Sequence, residues 1–209
     1  MKDFKKKWEN YWYHNKGKTI IGLLLAVILC VTIVESVTKE NYDMKVYVYV
    51  SEDLSDTTLR AFEDTLESYY KDEEKLNIEV ISYSYDPYTA DSESVSAKAS
   101  AFMAEISLRS DFLIITDDYR FDDINENEAF NNLFEKHDFF AEKDSLAMSL
   151  KSTKFEQKLK ENLANNGVTG VNVPELYLSL IDSVQKDQDS YENYEKSLDL
   201  AKRIVNAEK

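Results

Sequence analysis

The feature that most constrains this chain is an uncharged apolar segment, TIIGLLLAVILCVTIV, at residues 19–34. Extended to the flanking lysines, the segment covers residues 19–38, which gives about 30 Å of helix at roughly 1.5 Å per residue. That length matches the hydrocarbon core of a bilayer. Glu35 lies near the outer end, where a carboxylate reaches the headgroups at modest cost. The sequence therefore predicts a transmembrane helix over residues 19–38.

The apolar segment has two other possible interpretations, a core helix and a cleaved signal peptide. A helix in the core of a soluble domain usually keeps a polar stripe, and this segment has none. A cleaved signal peptide needs a small-residue cleavage site, whereas ESVTKENYD follows the apolar run. A lipoprotein would need a small residue before Cys30, but Leu29 precedes it. We therefore expect an uncleaved signal-anchor with Cys30 as a hydrophobic residue inside the span.

Charge is distributed unevenly about the apolar segment. Residues 1–18 hold six lysines and two carboxylates, a net charge of +4. Because the net charge of the chain is −15, the other 191 residues carry −19. The lysines predict a cytoplasmic amino terminus and an extracytoplasmic body, residues 39–209, in a single-pass protein of the cell membrane. Membrane lipid is the expected partner of residues 1–38, through aromatic rings and lysine attraction to anionic headgroups. The candidate anchor residues are Lys5, Lys6, Lys7, Trp8, Trp12, Tyr13 and Lys18.

The composition of the body excludes several classes of protein. It contains no cysteine, so its fold rests on a hydrophobic core, for which about 170 residues suffice. Its negative charge argues against a nucleic-acid partner. Gly167 and Gly170 are its only glycines, and neither follows the first predicted strand, so no phosphate-binding loop is expected. We expect no cofactor.

Apolar periodicity predicts alternating strands and helices in the first half of the body. Strands are predicted at residues 45–50, 77–85 and 111–116, with a helix in each interval. This order is typical of an α/β fold in three layers, with a mostly parallel sheet between helices. The helix faces consist of Leu59, Phe62, Leu66 and Tyr69 in the first helix, and of Val95, Ala99, Phe102 and Ile106 in the second.

The second half of the body is predicted to continue with helices, one strand and a closing helix. Helices are predicted over residues 126–140 and 153–167, and a strand over residues 175–181. The closing helix has Asp189 and Glu192 in capping-box spacing. The expected inward residues are Phe130, Leu133 and Phe134, then Phe155, Leu159 and Leu163, and finally Tyr194, Leu198, Ala201 and Val205.

Few residues of the body carry a chemical signature. Asp117 and Asp118 form an adjacent carboxylate pair, but neighbours on an extended chain point to opposite sides. His137 is the only histidine beyond the anchor, and we interpret it as structural. An alternation of Asp and Asn from Asp123 resembles the start of a calcium loop, but glycine is missing at its sixth position and glutamate at its twelfth. We therefore expect neither a catalytic group nor a metal site.

One known family shares this order of elements. The body resembles the first lobe of type II extracytoplasmic solute-binding proteins in three successive parts. These are a strand and helix, the strand NIEVISYSYD, and an alanine-rich helix that runs into SDFLIITDD. These are the receptor components of ABC importers. In that family a proline and an aspartate open the third strand; Ser110 stands at the proline position and Asp111 matches the aspartate. The later GVTGVNVPELYLSLI resembles the return of the chain to that lobe.

The amino-terminal FKKKWENYWYHNKGKTIIG also resembles small membrane-anchored proteins of Gram-positive Firmicutes.

Two departures from the binding-protein pattern matter. The segment of residues 120–170 is too short for a second lobe, and the family's lipobox is missing around Cys30. The resemblance therefore implies a single-lobe relative that does not close around a solute.

Ligand contacts are expected where the strands end, because open α/β sheets bind ligands at the carboxyl edge. We expect a non-enzymatic, membrane-anchored binding or interaction module, accessory to a membrane transport or envelope complex. The alternatives are a solute-binding receptor of an ABC-type importer and a metal-assisted hydrolase using Asp117 and Asp118. Exposed tyrosines beside carboxylates suit a sugar, a cationic peptide or a protein face. The candidate contact residues are Ser51, Glu52 and Asp53, then Asp86 and Tyr88, and then Asp117, Asp118 and Tyr119.

Overall fold

The chain divides into two compact units, Met1–Asn41 and Tyr42–Lys209. The computed structural model describes residues 2–38, 42–70, 76–108, 111–126, 133–140, 143–168, 173–182 and 188–207. Side chains within the first and last helices are described only for residues 11–13, 15–30 and 191–207.

The first unit contains one helix, α1, at Lys2–Thr38. This helix runs without a break from the basic tail through the apolar segment. Its large apolar side chains between Ile20 and Leu29 are all exposed, with 66% of Leu23 accessible. Trp12, Tyr13 and Lys18 are also exposed, whereas the side chains of Lys5, Lys6, Lys7 and Trp8 lie outside the described residues.

Within the described residues, no helix combines the length and the apolar composition needed to traverse a bilayer.

The second unit is built on a five-stranded sheet, as the α/β prediction requires. The strand order is β2-β1-β3-β5-β4. β1 pairs in parallel with β2 and β3, whereas β5 pairs antiparallel with both β3 and β4. The strands are β1 at Met44–Tyr49, β2 at Ile78–Ser82, β3 at Leu113–Asp117, β4 at Ala147–Ser149 and β5 at Leu176–Leu180.

The sheet is mixed because β5 runs opposite to the other four strands, which share one direction. The sequence predicted a mostly parallel sheet and did not identify the antiparallel strand. The sequence could not indicate the direction of β5, because all five of its residues are buried. A strand covered on both faces shows a continuous apolar run in either direction. β4 is only three residues long and shows no recognisable alternation.

Helices cover both faces of the sheet, in the three layers that the sequence predicts. α2 at Asp56–Glu67, α5 at Lys154–Asn165 and α6 at Gln188–Ala207 pack on one face. α3 at Ser92–Leu108 and α4 at Asp118–Glu126 pack on the other. The apolar faces predicted for α2, α3 and α5 supply buried residues of these two cores, and α6 buries Tyr194, Ala201 and Val205 as expected.

Local sequence explains where α2 and α5 begin and end. Ser55 and Thr153 are the N-caps, because their hydroxyl groups accept hydrogen bonds from the amides of Thr58 (3.2 Å) and Glu156 (3.3 Å). Gly167 follows α5 with φ of 79°, a left-handed conformation that costs glycine little. The helix predicted over residues 153–167 is confirmed here.

The helix predicted over residues 126–140 is wrong. Residues 133–140 contain no helix; Phe134 forms a β-bridge with Ile181 instead. The amides of Glu135 and Asp182 donate to the carbonyls of Leu180 and Leu133, which extends the sheet edge. Leu133 and Phe134 are both buried in the core cluster that also contains Ile181. Phe130 and the side chain of Asp189 lie outside the described residues.

Candidate functional site

An open cleft of about 680 Å³ lies at the carboxyl edge of β1, β2 and β3. The loop after β1, the turn after β2, the helix α4 and the residues before β5 form its walls. Because β5 is antiparallel, its start reaches the same edge at which the three parallel strands end. The lining residues are Ser51, Pro87, Tyr88, Asp117, Asp118, Tyr119, Asp122, Asp123, Glu126, Pro174 and Glu175.

Asp117 holds the floor of the cleft together. It is only 7% exposed. One carboxylate oxygen accepts a hydrogen bond from the amide of Ser51 (2.7 Å), and the other accepts from the amide of Arg120 (2.8 Å). The second contact is an N-cap interaction, so Asp117 starts α4 while it fixes the loop after β1. Both oxygens are thus committed to backbone amides.

Asp118 differs from Asp117 in its solvent exposure and in its interaction partners. Its side chain is 63% exposed and lies 2.8 Å from the ammonium group of Lys143, which also contacts Asp122 at 2.8 Å. Burial lowers the pKa of Lys143, but its hydrogen bonds to both carboxylates outweigh this effect and raise the pKa above its ordinary value. Asp117 and Asp118 therefore do not form an acid/base pair.

Lys143 lies on a strained turn at the edge of the cleft. Lys143, Asp144 and Ser145 form a short 3₁₀ turn with φ angles of 50°, 58° and 68°. Non-glycine residues adopt this left-handed region at a cost, so other contacts must hold the turn in place. The double ion pair of Lys143 supplies such contacts, together with cation–π approaches to Phe121 (5.2 Å) and Tyr177 (5.3 Å).

α4 divides its residues between the cleft and the core. Its acidic residues at positions 118, 122, 123 and 126 line the cleft, while Arg120, Phe121 and Ile124 are buried. The chain after Asp117 thus continues directly as a helix, which the sequence did not predict there. The helix is hard to recognise because nine residues hold only two buried apolar side chains, but the Asp117 cap and the Phe121–Ile124 spacing are a usable signal.

Arg120 is a buried cation directly behind the acidic wall. Only 2% of it is exposed, and its guanidinium carbon lies 3.9 Å from the ring centre of Tyr85 and 4.7 Å from that of Tyr49. It donates to the hydroxyl and the backbone carbonyl of Tyr85, both at 3.0 Å. Asp123 lies 3.9 Å from one of its nitrogens. The pKa of the Tyr49 hydroxyl is raised by burial and by its hydrogen bond with Tyr85.

The wall formed by β5 carries a second ion pair. The ammonium group of Lys151 lies 2.9 Å from Glu175, whose other oxygen accepts from the hydroxyl of Ser149. The hydrogen bond to Lys151 lowers the pKa of Glu175. Burial and the nearby Glu175 carboxylate raise the pKa of Tyr177 to about 12. Tyr177 is therefore a neutral phenol at any physiological pH.

Two tyrosines and two prolines give the cleft its uncharged surface. Tyr88 is 93% exposed and Tyr119 is 56% exposed. The turn that presents Tyr88 is fixed by Asp86, which accepts from the Tyr88 amide and the Thr89 hydroxyl, both at 2.8 Å. These hydrogen bonds lower the pKa of Asp86. Asp86 therefore shapes the rim but does not line the cleft.

Five of the eight predicted contact residues do line the cleft. Glu52, Asp53 and Asp86 do not, although they lie in the loops that border it. Asp53 instead pairs with Lys98 at 2.7 Å, and Lys98 also donates to the carbonyl of Ser84. The predicted residues that line the cleft are Ser51, Tyr88, Asp117, Asp118 and Tyr119.

Sequence reasoning missed the part of the cleft that depends on the helix α4 and on the antiparallel direction of β5. Three acidic residues come from α4, and two residues come from the start of an antiparallel β5. Pro87 lies just beyond the strand predicted at residues 77–85 and was not among the predicted contact residues. The missed lining residues are Pro87, Asp122, Asp123, Glu126, Pro174 and Glu175.

Two other chemical candidates were placed by the structure. His137 stacks on Phe139 with ring centres 4.8 Å apart, and burial lowers the pKa of its imidazole. It is not among the cleft-lining residues. Across the described residues, no three His, Cys, Asp or Glu side chains are grouped to hold a metal ion. Asn127 and Glu128 of the calcium-like segment lie outside the described residues.

The site thus belongs to an α/β/α domain with a mixed sheet and an open, acidic, tyrosine-rimmed cleft. No protein-family model, curated protein or solved structure matches the chain.

Proposed function

We propose that this protein is a membrane-anchored, extracytoplasmic binding module without enzymatic activity. Its cleft binds a cationic group carried by a peptide segment of a membrane or envelope partner. The observation that carries this proposal is the acidic lining: six of the eleven cleft residues are Asp or Glu. The exposed rings of Tyr88 and Tyr119 add flat surfaces that attract ammonium and guanidinium groups.

The paired cations around the cleft leave its charge negative. Lys143, Arg120 and Lys151 neutralise part of the acidic wall through their ion pairs. Three cations do not balance six carboxylates, and Asp117 interacts with two neutral amides rather than with a cation. The remaining negative potential of the cleft favours a positively charged ligand and steers its approach.

The anchoring part of the proposal rests on the sequence of α1 and on the exposure of its apolar side chains. Contiguous exposed apolar surface of this kind is typical of membrane-interacting segments. We expect protease added to intact cells to remove residues 42–209 and to spare the lysine-rich tail. Permeabilised cells are the control, in which both parts are cut. Cleavage of the tail alone in intact cells would reverse the proposed orientation.

The two alternatives use the same cleft. A solute-binding receptor follows from the resemblance to type II binding proteins, and it predicts stabilisation by a small neutral or charged solute. A metal-assisted hydrolase that uses Asp117 and Asp118 is the weaker candidate. Its two carboxylates have different environments, and Asp117 already accepts two backbone hydrogen bonds.

Binding is tested with the full chain in nanodiscs, titrated with a capped trilysine peptide in a calorimeter. We expect measurable affinity that falls as salt is raised, and no affinity for the same peptide with acetylated lysines. Removing one cleft carboxylate, Glu126→Gln, is expected to weaken binding about two- to fivefold. The matched control Glu161→Gln removes one exposed carboxylate from α5 and leaves the affinity unchanged.

Two outcomes would reject the cationic ligand. Equal binding of trilysine and acetylated trilysine would show that charge is not recognised. Absence of binding to either peptide, with stabilisation by an uncharged solute, would support the receptor alternative instead.

A further inference from the structure

The free edge of β2 is covered in an unusual way. Within the part of the chain that the structure describes, β2 is the first strand of the sheet order and pairs only with β1. The amide of Tyr83 donates to the carbonyl of Val48 on the β1 side (3.2 Å). Because backbone amides alternate in direction along a strand, those of Ile78 and Val80 point away from β1. Such outward amides form the template on which another strand can pair.

Two of the outward amides, those of Ile78 and Val80, donate to glutamate side chains of α2. The amide of Val80 donates to Glu63 Oε1 at 3.1 Å, and that of Ile78 donates to Glu67 Oε1 at 3.3 Å. Both strand residues are buried, so without these partners the two amides would be unsatisfied.

The spacing of the two glutamates matches the spacing of the two amides. Residues four apart on a helix are separated by about 6 Å along its axis. Residues two apart on a strand are separated by about 6.6 Å. Glu63 meets Val80 and Glu67 meets Ile78, so helix and strand run in opposite directions, as a crossover helix requires. The two side chains thus reproduce two rungs of a β-ladder.

The carboxylates hold these positions at an electrostatic cost. Burial raises the pKa of Glu63, although its hydrogen bond from Val80 acts in the opposite direction. Neighbouring carboxylates, Glu67, Asp64 and Glu79, raise it further. A carboxylate is unfavourable at this position, so its presence needs another reason. That reason is the buried amide of Val80, which needs a hydrogen-bond acceptor.

We infer that Glu63 and Glu67 form a side-chain ladder that closes the β2 edge against strand addition. The strand that they exclude is β2 of a second copy of this chain. Identical edges can pair antiparallel about a two-fold axis, in which facing residues exchange both N–H···O bonds. The sequence of β2, IEVIS, favours such pairing because it is rich in β-branched residues.

The test uses the full chain in nonionic detergent and the double variant E63A/E67A. We expect the amides of Ile78 and Val80 to exchange with solvent about tenfold faster at low protein concentration. Sedimentation should show a dimer that grows with concentration, while the wild-type chain remains monomeric. At high concentration the two amides should regain protection, because the second copy covers them.

Two control variants separate the ladder from charge. E63Q/E67Q keeps a carbonyl acceptor at each position and is expected to stay monomeric with protected amides. E93A/E161A removes two exposed carboxylates from α3 and α5, and is expected to behave as the wild type. Dimerisation of either control would show that lost negative charge is the cause, and would overturn the inference.

Further results would also reject the ladder. A folded E63A/E67A variant that stays monomeric at its highest soluble concentration would show that the edge does not need closing. If that variant does not fold, the wild-type chain and Glu67→Ala decide. Wild-type exchange at Ile78 and Val80 as fast as in exposed loops, or unchanged exchange at Ile78 in Glu67→Ala, would contradict the inference.

Discussion

Arg120→Ala is expected to lower the free energy of unfolding of the body by about 3–5 kcal/mol. Arg120 is almost fully buried between the rings of Tyr85 and Tyr49. Truncation leaves a cavity, removes the cation–π contacts, and deprives the buried carbonyl of Tyr85 of its donor. Each of these effects acts on the same packed cluster, so their costs are not simply additive.

Urea unfolding of the full chain in nonionic detergent, followed by circular dichroism, measures this loss. Arg120→Met fills most of the volume and is expected to cost about 1–3 kcal/mol, since only the hydrogen bonds and the charge are lost. Arg120→Lys should recover little, because an ammonium group lacks the planar fork that contacts both the hydroxyl and the carbonyl of Tyr85. A loss below about 1 kcal/mol in Arg120→Ala is incompatible with the contacts described.

Asp117→Ala is expected to destabilise the body by about 2–4 kcal/mol. The change removes the N-cap of α4 and leaves the amide of Ser51 without its acceptor. For a domain of this size the melting temperature should fall by roughly 4–16 °C. Differential scanning calorimetry of the full chain in nanodiscs provides the measurement.

The neighbouring aspartate supplies the matched control. Asp118→Ala removes a carboxylate that is mostly exposed, and its ion pair with Lys143 is shared with Asp122, so a change within about 0.5 kcal/mol is expected. Asp117→Asn keeps one acceptor oxygen and should fall between the wild type and Asp117→Ala. Equal effects of Asp117→Ala and Asp118→Ala would mean that the two carboxylates act as a pair, contrary to their geometry.

The sequence predicted the elements of the first half of the body well because their signals are local. β1 combines β-branched and aromatic residues, and α2 shows apolar residues at helical spacing after a serine cap. The order of strands and helices then limits the sheet topology, since crossover connections are short and of one hand. The direction of β5 was not predictable in this way, because its pairing with β3 depends on long-range contacts.

The cleft was predictable only as far as the parallel strands determine it. Ser51, Tyr88 and Asp117 follow strand ends, so the rule for open α/β sheets places them at one edge. The roles of adjacent carboxylates were not predictable, because cap formation depends on where the backbone of α4 begins. Asp122 and Asp123 resemble ordinary surface charge in an acidic chain, and Glu175 stands at the start of a predicted strand whose direction the sequence does not indicate.

The antiparallel pairing of β5 with β3 has a consequence for folding kinetics. The cleft walls include residues as far apart in the sequence as Ser51 and Glu175. Forming the cleft therefore brings together two ends of a long chain segment, which costs loop-closure entropy. Glu175 reaches its place only when β5 docks beside β3, and β5 is the last of the five described strands in chain order. The binding surface is therefore completed late, after the parallel strands β1, β2 and β3 have been synthesised. A nascent chain that stops before residue 176 lacks one wall of the cleft, however well its parallel strands have formed.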